Sequence, residues 1–144
     1  MKSGLLFILT GLILLPVTLS ALERTHAPAD ATAYIISPAN GARVLNPVTV
    51  RFGLKGMGIA PAGAEFANTG HFHILLDEDK LPDVNQPMPV GDHYLHYSDG
   101  QIEVSLDLSP GKHTLQLIMG DYRHIPHKPP IISKKITIIV EKLY

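Results

Sequence analysis

Two histidines one residue apart, His71 and His73, carry the sharpest chemical signal in the chain. They sit in Gly70-His71-Phe72-His73-Ile74-Leu75-Leu76-Asp77, an apolar run that ends in an acidic turn. Side chains of a strand alternate between faces, so the two imidazoles share one face. Their Cα atoms then lie roughly 6.5–7 Å apart, a span over which two imidazoles can hold one metal ion. A half-exposed strand that merely uses histidine is the competing explanation. The 144 residues contain no cysteine, which excludes thiolate ligands, thiol catalysis and disulfides. Imidazole is left as the one strong ligand in quantity, with eight histidines, the first at His26.

The elements that must position these residues are strands. Met1-Lys2-Ser3 followed by an apolar run over 4–19 and small residues at Ser20-Ala21 has the layout of a secretory signal peptide over residues 1–21. That predicts a periplasmic or secreted protein, with no membrane span once the signal is removed. Residues 22–33 lack periodicity and read as a flexible leader, and residues 34–144 form a single domain. Without Lys2, 11 basic residues face 13 acidic ones, so nothing suggests a nucleic-acid partner.

Short strands are predicted over 34–36, 48–54, 71–76, 93–97, 102–108, 113–119 and 134–141. Val48, Val50, Phe52 and Leu54 alternate with polar residues or glycine. So do Ile102, Val104, Leu106 and Leu108, which are expected to face inward. Asp99-Gly100 between two runs predicts a hairpin. About seven strands after an N-terminal signal helix, separated by Gly- and Pro-rich turns, give an all-β fold: an immunoglobulin-like antiparallel β-sandwich.

In that architecture alternate loops cluster at one end. His71 and His73 begin their strand there, His96 precedes the Asp-Gly turn, and His124 and His127 lie in the loop before the last strand. Five histidines from three segments thus converge on one end. Phe72, Ile74 and Leu76 are expected to face the core, which leaves the His71 and His73 rings on the outer, solvent-accessible face. Polyproline geometry around Pro126, Pro129 and Pro130 would hold His124 and His127 about 9 Å apart, so one of the two is expected to ligate. Met119 is a possible soft ligand, and His113 reads as a structural histidine at the opposite end. The acidic residues Asp77, Glu78, Asp79 and Asp83 read as a solvated turn.

Several ordered segments resemble a known family. They are Gly70-His71-x-His73-x-Leu-Leu-Asp77, His96-Tyr97-x-x-Gly100-Gln101, Pro110-Gly111-x-His113-Thr114-Leu115-Gln116-Leu117 and Gly120-Asp121-x-x-His124-x-Pro126-His127-x-Pro129-Pro130. Over about residues 68–141 the chain is similar to the bacterial exported proteins grouped as domain of unknown function 4399. The resemblance implies an exported bacterial domain and brings no established activity. Phe72 stands where that family often has a further histidine.

Three functions follow from these residues. The first is binding of copper or zinc as cofactor through His71, His73, His96, His124 and His127, the metal ion being the partner. The alternative is a periplasmic structural module that contacts an envelope protein partner through a pH-sensitive histidine surface, without metal. A metal-assisted enzyme would need Asp121 or Asp92 as general base. No P-loop, GxSxG elbow or HExxH helix is present, so an enzyme is the least supported of the three.

Overall fold

A computed structural model describes residues 22–142; the segment read as a signal peptide lies outside the described residues. The described residues form no α-helix and nine strands: β1 (Thr32–Ser37), β2 (Arg43–Val44), β3 (Val48–Lys55), β4 (Gly58–Ile59), β5 (Thr69–Leu76), β6 (Tyr94–His96), β7 (Glu103–Leu106), β8 (Gly111–Gly120) and β9 (Ile136–Val140). All seven strands expected from periodicity are present, and β2 and β4 add two residues each. The smaller sheet has the order β1-β3-β7 and the larger β2-β9-β8-β5-β4, with β6 also pairing β5. The main ladders are antiparallel, and only the short β2 and β4 join theirs in parallel.

The core lies between the sheets, where the alternating apolar residues meet. Val50 and Phe52 of β3 pack against Phe72 and Ile74 of β5 and against Leu115, Leu117 and Met119 of β8. The Phe52 and Phe72 rings lie 5.0 Å apart at a tilt of 53°, within the range favoured for aromatic pairs. Ile102 is the exception to the predicted inward face. It precedes the first paired residue of β7 and is exposed.

The predicted hairpin at Asp99-Gly100 does not form. β6 pairs with β5 in the larger sheet, whereas β7 pairs with β3 in the smaller one, so the Asp-Gly turn carries the chain between sheets. Gly100 still has the positive φ, 76°, that such a turn demands. Turn chemistry specifies a reversal of direction but not the strand to which the returning chain pairs. Here Leu95 and Tyr97 pack on one core cluster and Tyr94 on a second, which holds β6 against β5.

His113 does close the end opposite the β5 histidines. Its Nε2 donates to the Ser109 carbonyl at 2.8 Å and its Nδ1 to Asp77 Oδ2 at 2.7 Å, while Asp77 Oδ1 accepts from the Thr114 N–H at 2.7 Å. Asp77 is thus a staple between β5 and β8 and not part of a free acidic turn. Burial disfavours charge on His113, but the Asp77 hydrogen bond, the Ser109 carbonyl and the Asp77 charge outweigh it and raise the pKa. A raised histidine contributes stability that is complete below the ordinary value of about 6.5 and is lost as pH rises through the folded-state value. Asp77→Ala is therefore expected to cost about 1–2 kcal/mol near pH 6 and less near pH 9, read by urea unfolding. An equal loss at both pH values would show that protonation plays no part in this staple.

Within residues 22–33, the segment read as a leader, several residues bond to the loop before β9. Ala27 N–H donates to the Lys128 carbonyl and Lys128 N–H to the Thr25 carbonyl. Arg24 donates through Nε to the Pro126 carbonyl at 3.0 Å and through Nη2 to the His127 carbonyl. A segment held by its backbone through one isolated bridge, His26 to Lys128, needs no apolar alternation, so periodicity could not reveal it. Among the described residues no helix is long and apolar enough to cross a membrane.

Candidate metal centre

The β5–β8 register places His71 opposite Gly120 and His73 opposite Ile118, and the β5–β6 register places His96 directly opposite His73. Opposed residues of an antiparallel pair share a face. His71, His73 and His96 are therefore neighbours on the outer face of the larger sheet. His124 arrives from the loop that follows β8. The rings form a compact group: His73 and His96 are stacked at 4.7 Å and 20°, and His124 stands edge-on to His96 at 4.5 Å and to His71 at 5.0 Å.

His71 Nε2 lies 3.0 Å from His73 Nε2 and 3.1 Å from His124 Nδ1. A neutral imidazole nitrogen offers either one N–H or one lone pair. His71 Nε2 therefore cannot make an ordinary linear hydrogen bond to both neighbours. Three ring nitrogens crowded around a common point are instead the arrangement of ligands around a cation. Nitrogens bound at about 2.0–2.1 Å to one ion stand about 3.3 Å apart in a tetrahedron. Each of His71, His73, His96 and His124 offers one ring nitrogen, and the four lie within 4.8 Å of one another. These four histidines form a group that could hold a metal ion.

The expected solvent-accessible position of the β5 pair is not observed. His71 and His73 are 0 % and 2 % exposed. They do point away from the sandwich core, as the alternation requires, but a second small cluster of Leu75, Met88 and Ile118 covers this face. Burial, and then the neighbouring histidines, push the His71 pKa down to about 4 and that of His73 to about 2. Burial, and then His124, also lower His96. The rings of His71 and His73 are thus neutral near pH 7, with the lone pairs a metal needs. The Nδ1 atoms of His71 and His73 and Nε2 of His96 are buried without a protein partner. A ligating imidazole usually donates its second N–H to an acceptor; for His71 and His73, whose Nε2 atoms face the group, packing rather than hydrogen bonding fixes the rings.

Gly120 is the floor of the group. A Cβ at that position would lie 2.9 Å from the Met88 methyl, 3.0 Å from His73 Nε2 and 3.3 Å from His124 Cα. No side chain fits between the strand and the rings above it.

His124 is aimed by its loop. Its φ of 66° is a left-handed conformation that histidine tolerates better than most residues, and it turns the chain back on itself. The extended geometry expected around these prolines is thereby broken. Asp121, 1 % exposed, holds the turn. Its Oδ1 accepts from the N–H groups of Arg123 at 2.8 Å and Ile125 at 3.0 Å, and its Oδ2 from Thr25 Oγ1 at 2.7 Å. Arg123 Nη2 adds a contact to Oδ2 at 3.3 Å. Burial favours the neutral acid, but the bonds from Thr25, Ile125 and Arg123 and the Arg123 charge outweigh it and lower the pKa. With both oxygens engaged, Asp121 is a loop staple and not the free general base considered from sequence. Asp92, the other candidate base, is exposed and outside the group.

Replacing Asp121 tests this positioning. Asp121→Ala leaves four donors without their acceptor and frees the backbone of His124. Loss of such a support costs about 10–100-fold in metal affinity in comparable sites. A reduction of that size is expected by competition titration against a chromogenic chelator, with wild-type affinity the result that refutes the role.

His127, also expected as a candidate ligand, is fully buried but lies outside the group. Its Nε2 donates to the Thr69 carbonyl at 3.1 Å, and its ring rests on Gly70, where a Cβ would lie 2.8 Å from His127 Cε1. Burial leads the causes that lower its pKa. Met119 also lies outside the group: it faces the sandwich core, on the side of the sheet opposite the histidines. Phe72 faces the same core, so a phenylalanine there takes nothing from the group. His93 donates through Nδ1 to the Leu76 carbonyl, and His26 is exposed. Sequence reasoning missed Met88, which is 5 % exposed in a loop whose other residues are largely exposed. An apolar side chain between Pro87 and Pro89 in an otherwise polar stretch was the signal available for it.

A β-sandwich domain with a group of four histidines, His71 and His73 buried and His96 and His124 half-buried, able to hold a metal ion on the outer face of its larger sheet, is the class these features define. The chain belongs to the family described as domain of unknown function (DUF4399), whose model matches residues 50–141 and so spans all four histidines. No curated protein and no solved structure matches the chain.

Proposed function

We propose that this is an exported bacterial protein that binds one transition-metal ion, copper or zinc, through His71, His73, His96 and His124. The convergence of four ring nitrogens from three separate segments, with His71 Nε2 facing two others at once, carries the reading. An all-imidazole donor set suits both metals, and the order of affinities for divalent ions favours Cu(II) over Zn(II). Export rests on the signal-like layout of residues 1–21. A pH-sensitive histidine docking surface is supported less well, because the two β5 rings are buried and so offer a partner little to touch.

Titration of the metal-free protein with Zn(II) and with Cu(II), followed by calorimetry and elemental analysis, is expected to give one tightly held ion per chain. The paired variant His71→Ala/His73→Ala is expected to hold none. Binding by the wild type no tighter than by that variant would end the proposal.

A further inference from the structure

The copper-or-zinc ambiguity rests on the four imidazoles alone, but a fifth donor stands beside them. Met88 belongs to the long Asp- and Pro-rich loop between β5 and β6, most of which is exposed. Its own side chain is buried, and its methyl presses on the same point above Gly120 that His73 Nε2 and His124 Cα press on. Its backbone N–H donates to the His124 carbonyl at 2.9 Å, so the loop that brings the thioether and the turn that brings His124 are joined. Pro87 and Pro89 restrict the backbone on either side.

We infer that Met88 is a specificity-determining ligand, its thioether giving the histidine group a soft donor for Cu(I). The inference rests on the metal-binding reading of the four histidines and goes beyond it. A thioether selects Cu(I) and contributes little to Zn(II), for which imidazole suffices. Met88 has the three rotatable bonds needed to swing its sulfur toward the ring nitrogens from its present contact. The packing explanation, a methionine that merely plugs Leu75 and Ile118, makes a different prediction, because leucine plugs the same space at little cost.

The test uses Met88→Leu in the full chain. Cu(I) affinity is measured by competition with a chromogenic Cu(I) chelator under anaerobic reduction, and Zn(II) affinity by a parallel competition. A Cu(I) affinity lowered at least tenfold with Zn(II) affinity unchanged supports the assignment, as does a sulfur neighbour in the X-ray absorption spectrum of the wild-type Cu(I) form. Unchanged Cu(I) affinity, or an equal loss for both ions, overturns it and leaves the histidine site standing. A wild type that takes up neither ion fails the underlying reading, which is a separate result.

Discussion

His73→Leu is expected to abolish metal binding while leaving the metal-free protein as stable as the wild type or more so. His73 contributes a ring nitrogen to the group, 3.0 Å from His71 Nε2, and removing one of four ligands should lower affinity by at least 100-fold. In the metal-free state the same side chain is a liability. It is 2 % exposed, its Nδ1 has no protein partner, and burial followed by the charges of His71, His96 and His124 drives its pKa to about 2. An unpaired buried polar group costs about 1–3 kcal/mol, so leucine removes a penalty and adds apolar contact with the neighbouring cluster. Metal competition reads the first half and urea unfolding of the metal-free variant the second. A variant much less stable than wild type without metal would show that the imidazole is structural, and the functional interpretation of the group would lose its best support. Residues retained at a stability cost are the ones for which a function is needed.

The second large effect is on pH. In the unfolded chain His71 and His73 titrate near 6.5, but in the fold they resist protonation down to about 4 and about 2. Between those limits the unfolded state binds more protons than the folded one, so stability falls as pH falls. The metal-free protein is expected to lose on the order of 5 °C or more in melting temperature between pH 7 and pH 5. The loss begins near the unfolded value and stops below the folded ones. His113 acts in the opposite sense, since its raised pKa adds stability toward acid, and Asp77→Ala separates the two contributions. Metal binding carries a companion signature: His71 and His73 are already neutral, so between pH 6 and 8 affinity is expected to change less than at a site of exposed histidines. A flat melting temperature from pH 7 to 5 would refute the burial argument. A steep gain in affinity over pH 6 to 8 would show that these ligands titrate at ordinary values.

Much of this was legible in the residues. Alternation located all seven longer strands, because a half-buried strand must present apolar side chains to one face and polar ones to the other. The same period put His71 and His73 together on the face opposite Phe72 and Ile74. His113 was readable as a corner residue because it stands next to a turn and just ahead of an apolar strand. The sheet partner of β6 was not legible. An Asp-Gly turn is a local device, whereas pairing is decided by which apolar faces Tyr94, Leu95 and Tyr97 can cover. His96 therefore reached the site by a route that sequence did not suggest, opposite His73 in the ladder and not merely at the same end of the sandwich.

The division between the two sources of information is clearest in the histidine pair. Sequence by itself determined that His71 and His73 share a face, since a strand leaves no other choice. It also excluded thiolates, and so made imidazole the chemistry of any site. Only the tertiary structure decided that the pair is buried, because the cover comes from Met88 and from the loop after β8, distant in sequence and without periodicity of their own. Only it separated His124 from His127, three residues apart and alike in context. A left-handed turn held by Asp121 sends the first toward His71 and the second toward the Thr69 carbonyl, and no local spacing rule encodes which way such a turn points its side chains.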